Sequence, residues 1–219
     1  MKNIPDYNTI AGQKVNRIEA LADGVFAIAM TLLVLDLKVP DHSLVQSEWD
    51  NWVELGKLAP KFLSYLLGFL TLGIFWVGHH TLLSFVSKSD RNFTWLNILF
   101  LLAISLLPFS TAYLSEHIHY RTAAFLYWLN IFLCGFTIYL NTGYPFRRGL
   151  VDQRAVSQNQ TQVLHFRVIS AQALYFLGFL FCFINTYLGI LLVILIQVNY
   201  AFGFVDITAL FNRLVGHRK

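Results

Sequence analysis

Residues 17–37 read RIEALADGVFAIAMTLLVLDL. This stretch opens with Arg17, Glu19 and Asp23 and continues into an apolar run that holds one threonine, Thr31. A helix of about 20 apolar residues is long enough to cross the roughly 30 Å of hydrocarbon in a bilayer. The stretch is therefore predicted to be a transmembrane helix with charged residues at its entrance.

The whole chain has the composition of an integral membrane protein. Of its 219 residues, 56% are hydrophobic and 13% are charged, whereas about a quarter of the residues in a soluble domain are charged. The apolar runs predict an all-α fold with six transmembrane helices, at residues 17–37, 59–85, 94–114, 121–143, 163–186 and 188–211. These spans leave no room for a soluble enzymatic domain. Pro108 is expected to kink the third span.

The lysines and arginines near the span ends predict the orientation of the chain. Twelve of them lie on the side of both termini, and four lie on the other side: Lys38, Lys57, Lys61 and Arg121. Basic residues concentrate on the cytoplasmic side of membrane proteins. The chain is thus expected to be a multi-pass protein of the plasma membrane with both termini in the cytoplasm. Its basic excess fits contact with anionic lipid head groups, and no nucleic-acid partner is expected.

A set of polar residues is predicted to meet near the inner ends of the first three spans. Its members are Arg17, Asp23, Trp76, His79, His80 and Asn97. Such a network either braces the three helices or senses protons and takes part in gating, and the sequence leaves both open. His79 and His80 point about 100° apart on a helix, so no metal site is predicted.

The opening segment, RIEALADGVFAIAMTLLVLDLKVP, resembles the first helix of the prokaryotic potassium channels related to the endolysosomal channel transmembrane protein 175. The signature of that family is Arg-x-x-x-Phe-Ser-Asp. Here it reads Arg17-Ile-Glu-Ala-Leu21-Ala22-Asp23, so the arginine and the aspartate keep the family spacing. Leu21 and Ala22 replace the aromatic residue and the serine. The six-span layout and a GHH element late in the second span extend the resemblance.

The resemblance implies a homotetramer in which four first helices surround a central pore for potassium ions, with no cofactor. It also implies that hydrophobic side chains form the narrow part of the pore, and the sequence indeed has no TVGYG loop. Carried over by position, Ile28 matches the first constricting aliphatic residue and Thr31 the threonine associated with potassium preference. Leu32 and Leu35 match further apolar layers.

The helical spacing of these residues agrees with that assignment. Ile28, Thr31, Leu32 and Leu35 lie on one stripe of a helix, at i, i+3, i+4 and i+7. A ring of isoleucines would close a neck that holds water poorly, and a ring of threonine hydroxyls would offer oxygens to a partly dehydrated cation. The plain alternative is ordinary helix packing, with the Thr31 hydroxyl bonded to the carbonyl of Ala27.

Two other function classes compete with a potassium-selective channel. A secondary transporter is the main alternative, but no acidic residue lies well inside spans two to five, where a transporter would need one. A membrane enzyme would need a nucleophile beside a base, and none accompanies the polar set. The sequence therefore predicts a channel with no catalytic residues.

Overall fold

The computed structural model describes residues 14–41, 46–152 and 158–204. These parts of the chain are almost entirely α-helical, with one isolated antiparallel β-bridge between Val86 and Val151. The helices are α1 (Val15–Leu32), α2 (Glu48–Lys57), α3 (Ala59–Leu83), α4 (Arg91–Ser105), α5 (Leu107–Glu116), α6 (Arg121–Arg148), α7 (Gln158–Phe181) and α8 (Thr186–Phe202).

Among the described residues, five stretches of helix are long and apolar enough to cross a membrane. They are Val15–Asp36, Ala59–Leu83, Arg91–Glu116, Arg121–Arg148 and Gln160–Phe181. The last helix, α8, is apolar but 17 residues long as described. The sixth predicted span, 188–211, runs past residue 204 and so lies partly outside the described residues. A sixth crossing therefore stays a prediction.

The first span changes its winding near its far end. A 3₁₀ segment, Leu33–Asp36, follows α1 directly and tightens the last turn. A carboxylate oxygen of Asp36 accepts a hydrogen bond from the hydroxyl of Ser115 in α5, at 3.0 Å. This bond fixes the far end of the first span against the third.

The predicted kink in the third span is present as a break between α4 and α5. α4 ends at Ser105, and Pro108 is the second residue of α5. Proline has no N–H to donate, so it suits the first turn of a new helix. α6 is longer than predicted because it continues to Arg148 and ends at Gly149, which has a φ of 65°.

The segment between the first two spans contains a helix that the apolar runs do not predict. Within residues 38–58, Glu48–Lys57 forms the helix α2. The hydroxyl of Ser47 caps this helix by accepting the Asp50 backbone N–H at 3.1 Å. Trp49 and Trp52 are both exposed on it. Indole rings of this kind prefer the interface between membrane and water.

Two clusters of buried side chains hold the helices together. The larger one runs through α1 and through α3 to α8, and it includes Phe26, Leu72, Phe100 and Ile104. The smaller one closes the end of the bundle where α1 begins, α3 ends, α4 begins and α6 ends; it consists of Val15, Ile18, Leu83, Val86, Phe93 and Val151. We call this the basic end, because the described cations that lie there are Lys14, Arg17, Lys88, Arg91, Arg147 and Arg148.

Polar side chains inside the later spans make interhelical hydrogen bonds. The hydroxyls of Thr71 in α3 and Tyr127 in α6 lie 2.9 Å apart, and the Gln197 amide of α8 donates to Thr71. Asn130 of α6 donates to the carbonyl of Ala103 at 2.9 Å. In lipid such bonds, together with close packing, hold helices together in place of a hydrophobic driving force.

Candidate functional site

α1 has one face buried in the chain and an opposite face exposed. The buried residues recur every three or four positions: Val15, Ile18, Ala22, Phe26, Ala29 and, in the 3₁₀ segment, Leu33. The exposed face carries Leu21, Ile28, Thr31, Leu32 and Leu35, which we call the exposed stripe. Ile28 is 61% exposed and Leu35 is 69% exposed. The side chains predicted to line a pore are therefore among those that the chain itself leaves uncovered.

The Thr31 hydroxyl is committed to its own helix. It lies 3.0 Å from the carbonyl oxygen of Ala27 and 2.8 Å from that of Ile28, so its one proton is shared between them. A hydroxyl oxygen that donates in this way keeps two lone pairs for other partners. Thr31 is exposed, so those lone pairs lie on the exposed stripe.

One polar contact joins α1 to α3 near the basic end. The indole N–H of Trp76 donates to a carboxylate oxygen of Asp23 at 2.9 Å. The rings of Trp76 and His80 stack, with centroids 5.8 Å apart and an interplanar angle of 19°. His80 therefore steadies the indole, and the indole holds Asp23.

A second polar contact joins α3 to α4 and is buried. His79 is 1% exposed, and its Nε2 lies 2.8 Å from the side-chain oxygen of Asn97. The Asn97 amide nitrogen donates to the carbonyl of Phe93 at 2.8 Å, so its oxygen acts as the acceptor for His79. The imidazole is thus held with a proton on Nε2 and stacks on Phe100, with centroids 4.9 Å apart.

The structure does not bring Arg17 into contact with these pairs. Its side chain is exposed and makes no hydrogen bond or ion pair with the described residues. Arg17 precedes Ile28 by eleven residues, which places it within about 20° of the same line on a helix. The predicted single network is therefore two separate pairs, Asp23–Trp76 and His79–Asn97, with Arg17 on the side of the exposed stripe.

Sequence reasoning missed one member of the exposed stripe. Leu21 was interpreted only as a departure from the family signature, yet it is 51% exposed. It lies seven residues before Ile28, which is two helical turns. Extending the same spacing toward the N-terminus would have found it. Within the described residues no three His, Cys, Asp or Glu side chains gather where they could hold a metal ion.

Comparison with known proteins finds similarity over part of this chain. The sequence profile described as the endosomal/lysosomal potassium channel TMEM175 matches residues 17–108, which run from α1 into α5. A potassium channel of Streptomyces collinus is 43% identical over 102 residues, which make up 47% of this chain and 48% of that protein. The mouse endosomal/lysosomal proton channel TMEM175 is 41% identical over 97 residues, which make up 42% of this chain and 19% of that protein.

A solved structure extends the likeness beyond the matched segment. The crystal structure of a lysosomal potassium-selective channel TMEM175 homologue from Chamaesiphon minutus superposes with a TM-score of 0.73 at 29% identity. The superposition covers 85% of this chain and 96% of that one. The sequence matches are shorter, since they span about half the length of the bacterial relative and a fifth of the mouse one. The chain is a membrane protein with several apolar helices, and the proteins that it matches are named as channels.

Proposed function

Because residues 17–108 match the profile of the potassium channel TMEM175, we propose that this chain is one subunit of a homotetrameric, potassium-selective channel. The observation that carries the proposal is the exposed stripe on α1. It is apolar apart from one threonine, and it lies outside the face that the chain buries. Four copies arranged around an axis would cover the stripe and turn it into the wall of a pore.

The Ile28 side chains form the gate in this proposal. Ile28 stands about halfway along the first span and points away from the rest of the chain. Four such side chains around an axis make a neck that holds water poorly, so a cation meets a high barrier there. Leu32 and Leu35, one and two turns further along, extend the apolar lining.

The Thr31 hydroxyls form a polar ring beside the gate. Each hydroxyl keeps its proton on its own helix, so it presents lone pairs, and not a proton, to an approaching cation. Potassium holds its hydration shell less tightly than sodium. A nearly apolar neck with few oxygens therefore favours potassium, and the selectivity is moderate.

The two polar pairs hold the pore helix in position. Asp23–Trp76 joins α1 to α3, and His79–Asn97 joins α3 to α4 behind it. Both are interhelical bonds, of the kind that sets helix positions in a membrane. Their role in the proposal is structural, and the permeating ion does not touch them.

The basic end faces the cytoplasm, and the channel lies in the plasma membrane. The six described cations of the basic end outnumber the four described at the opposite end, where Lys61 lies 3.8 Å from Glu116. Basic residues near span ends remain on the cytoplasmic side during insertion. Both termini are then cytoplasmic.

The test is ion flux into liposomes that contain the purified protein. Potassium, sodium and proton gradients are imposed in turn on the wild type and on Ile28→Asn. We expect flux that prefers potassium and rises several-fold in the variant, because an amide wets the neck. The matched control is Ile98→Asn, since Ile98 is also exposed but lies on α4; it should leave the flux unchanged.

Other outcomes would contradict the proposal. Uptake that saturates, requires a proton or counter-ion gradient and is unaffected at position 28 would support a secondary transporter. Proton flux without potassium flux would mean that the chain is a channel for protons and not for potassium. An equal rise in flux for Ile28→Asn and Ile98→Asn would mean that Ile28 on α1 does not form the gate.

A further inference from the structure

A second opening lies at the basic end, on a side of the bundle formed by other helices than α1. It is a cavity of about 680 Å³ between α4, α6 and α7. We call it the basic cavity, and the residues that matter for its chemistry are Arg91, Trp95, Leu99, Leu140, Arg147 and His165. None of them belongs to the exposed stripe or to the two polar pairs.

The mouth of the basic cavity is positively charged. Arg91 is the first residue of α4 and Arg147 lies in the last turn of α6. The beginning of α4 adds the positive end of a helix dipole and its first backbone N–H groups. Arg147 is exposed and makes no hydrogen bond or ion pair within the described part of the chain.

Asp90 directly precedes Arg91, and its carboxylate is already engaged. Asp90 caps α4, and one of its oxygens accepts the Phe93 backbone N–H at 2.7 Å. Its other oxygen accepts the Tyr144 hydroxyl at 2.8 Å. Arg148 lies over the ring of Tyr144, 5.8 Å from its centroid. Asp90 is thus held by its own helix and by α6.

The walls below the mouth are apolar and exposed. Trp95 and Leu99 follow Arg91 along α4 by one and two turns, and they are 55% and 49% exposed. Leu140 lies two turns before Arg147 in α6 and is 37% exposed. The cavity is therefore charged at the end of the bundle and apolar toward its middle, in the order in which a phospholipid presents its head group and its chain.

The wall on the side of α7 holds a polar atom without a partner. The His165 ring packs on Tyr139, with centroids 4.6 Å apart. Its Nε2 is buried and has no hydrogen-bond partner among the described residues. A buried polar atom left unpaired costs free energy, so a neighbouring group that can pair with it is favoured. A lipid head group carries such oxygens and hydroxyls.

We propose that the basic cavity binds one anionic phospholipid from the leaflet at the basic end. Its phosphate lies between Arg91 and Arg147, and one acyl chain runs along Trp95, Leu99 and Leu140. Basic pockets between transmembrane helices recognise anionic head groups in this way. The apolar wall favours a lipid over a free phosphate ion, because a free ion would leave that wall uncovered. The proposal needs a chain inserted in a membrane and does not depend on the ion it conducts.

Fluorescence quenching tests the proposal, because Trp95 is itself a wall of the cavity. The purified full chain is placed in phosphatidylcholine bilayers, and brominated phosphatidylglycerol or brominated phosphatidylcholine is titrated in. The signal of Trp95 is taken as the difference between the wild type and Trp95→Phe. We expect the anionic lipid to quench it at about tenfold lower mole fraction than the neutral one.

Two variants and one control make the result specific. Arg147→Gln should remove most of that tenfold preference. Leu140→Phe, which fills the apolar half, should weaken quenching by both lipids. The control is Arg148→Gln, which removes the same charge one residue away and should change the preference less than twofold.

The opposite results would overturn the proposal. Equal quenching by both lipids, or an equal effect of the two arginine variants, would mean that only the general surface charge attracts lipid. Displacement of the brominated lipid by millimolar inorganic phosphate would assign the mouth to a small anion instead.

Discussion

Two carbonyl oxygens of its own helix determine which partners the Thr31 hydroxyl can bind. Its proton is shared between the carbonyls of Ala27 and Ile28, so the only polar atom on the exposed stripe acts as an acceptor. A second threonine in the chain has the same local geometry. Thr137 of α6 lies 2.8 Å from the carbonyl of Leu133 and 3.1 Å from that of Cys134.

The pair of threonines allows a controlled test of selectivity. Thr31→Val keeps the side-chain shape and removes the oxygen, so we expect the potassium-over-sodium permeability ratio to fall roughly fivefold, equivalent to about 1 kcal/mol. Reversal potentials under bi-ionic conditions measure the ratio. Thr137→Val loses the same hydrogen bonds on another helix and should leave the ratio unchanged. Identical ratios for all three proteins would remove Thr31 from the selectivity step.

The contact between Asp23 and Trp76 predicts a measurable contribution to stability. Trp76→Phe keeps a ring that can stack on His80 but removes the N–H donor, so the free energy of unfolding should fall by roughly 1 kcal/mol. Arg17→Gln should change it by less than about 0.5 kcal/mol, because Arg17 has no described partner. Unfolding in mixed detergent micelles measures both. Equal losses would mean that Arg17 shares in the brace.

Single residues were predictable to different degrees. The members of the exposed stripe follow from helical spacing alone, since residues three, four and seven apart share a face. The partner of Asp23 does not, because it depends on how α1 is rotated against α3. The sequence placed Trp76 at a suitable depth, but only packing of Phe26 and Phe100 between the helices decides which side chains touch.

Helices approach each other most closely where glycine removes a side chain. Gly189, in the first turn of α8, is the clearest case: a Cβ atom there would stand 2.7 Å from the carbonyl oxygen of Gly178 in α7. The backbone N of Cys182 would be 2.9 Å away. Both neighbours are backbone atoms, so neither can move aside without shifting a helix.

Gly189→Ala is therefore expected to separate α8 from α7. We expect a loss of roughly 2–3 kcal/mol in the free energy of unfolding, as for other overpacked positions. Gly73→Ala in α3 is the control, because a Cβ there meets nothing within 4 Å. It should be neutral or stabilise the helix slightly. Thermal denaturation followed by circular dichroism compares the two, and equal melting temperatures would contradict the close approach.

The elements themselves were largely predictable, and the exceptions have physical causes. Apolar runs found the five membrane-length stretches, and Pro108 found the break between α4 and α5. α2 was missed because its ten residues alternate tryptophans with acidic side chains and have no apolar run. The extra turn of α6 was missed because Pro145 and two arginines are poor signs of a continuing helix.

Because one face of α1 is uncovered within a single chain, the proposed pore depends on how copies of the chain assemble. Periodicity within one chain identifies the face but cannot count the copies that cover it. Engineered cysteines can test whether copies meet there, since the native cysteines, Cys134 and Cys182, are both buried and free.

Ile28→Cys should cross-link between copies. Side chains around a narrow neck lie close enough for disulfide formation, so mild oxidation in membranes should yield covalent dimers. Ile98→Cys is the matched control on α4 and should stay monomeric on a denaturing gel. Cross-linking of the control alone would place a different face at the axis and would move the pore away from α1.

The β-bridge at the basic end has a consequence for how this chain tolerates change over evolution. Val86 pairs with Val151, and the backbone N–H groups of Ser87 and Lys88 both donate to the carbonyl of Leu150. These bonds hold two short connections in register although the connections are far apart in sequence. One inserted residue in either connection would break the pairing. Natural insertions and deletions among close relatives should therefore avoid residues 86–88 and 150–151 and accumulate in other connections.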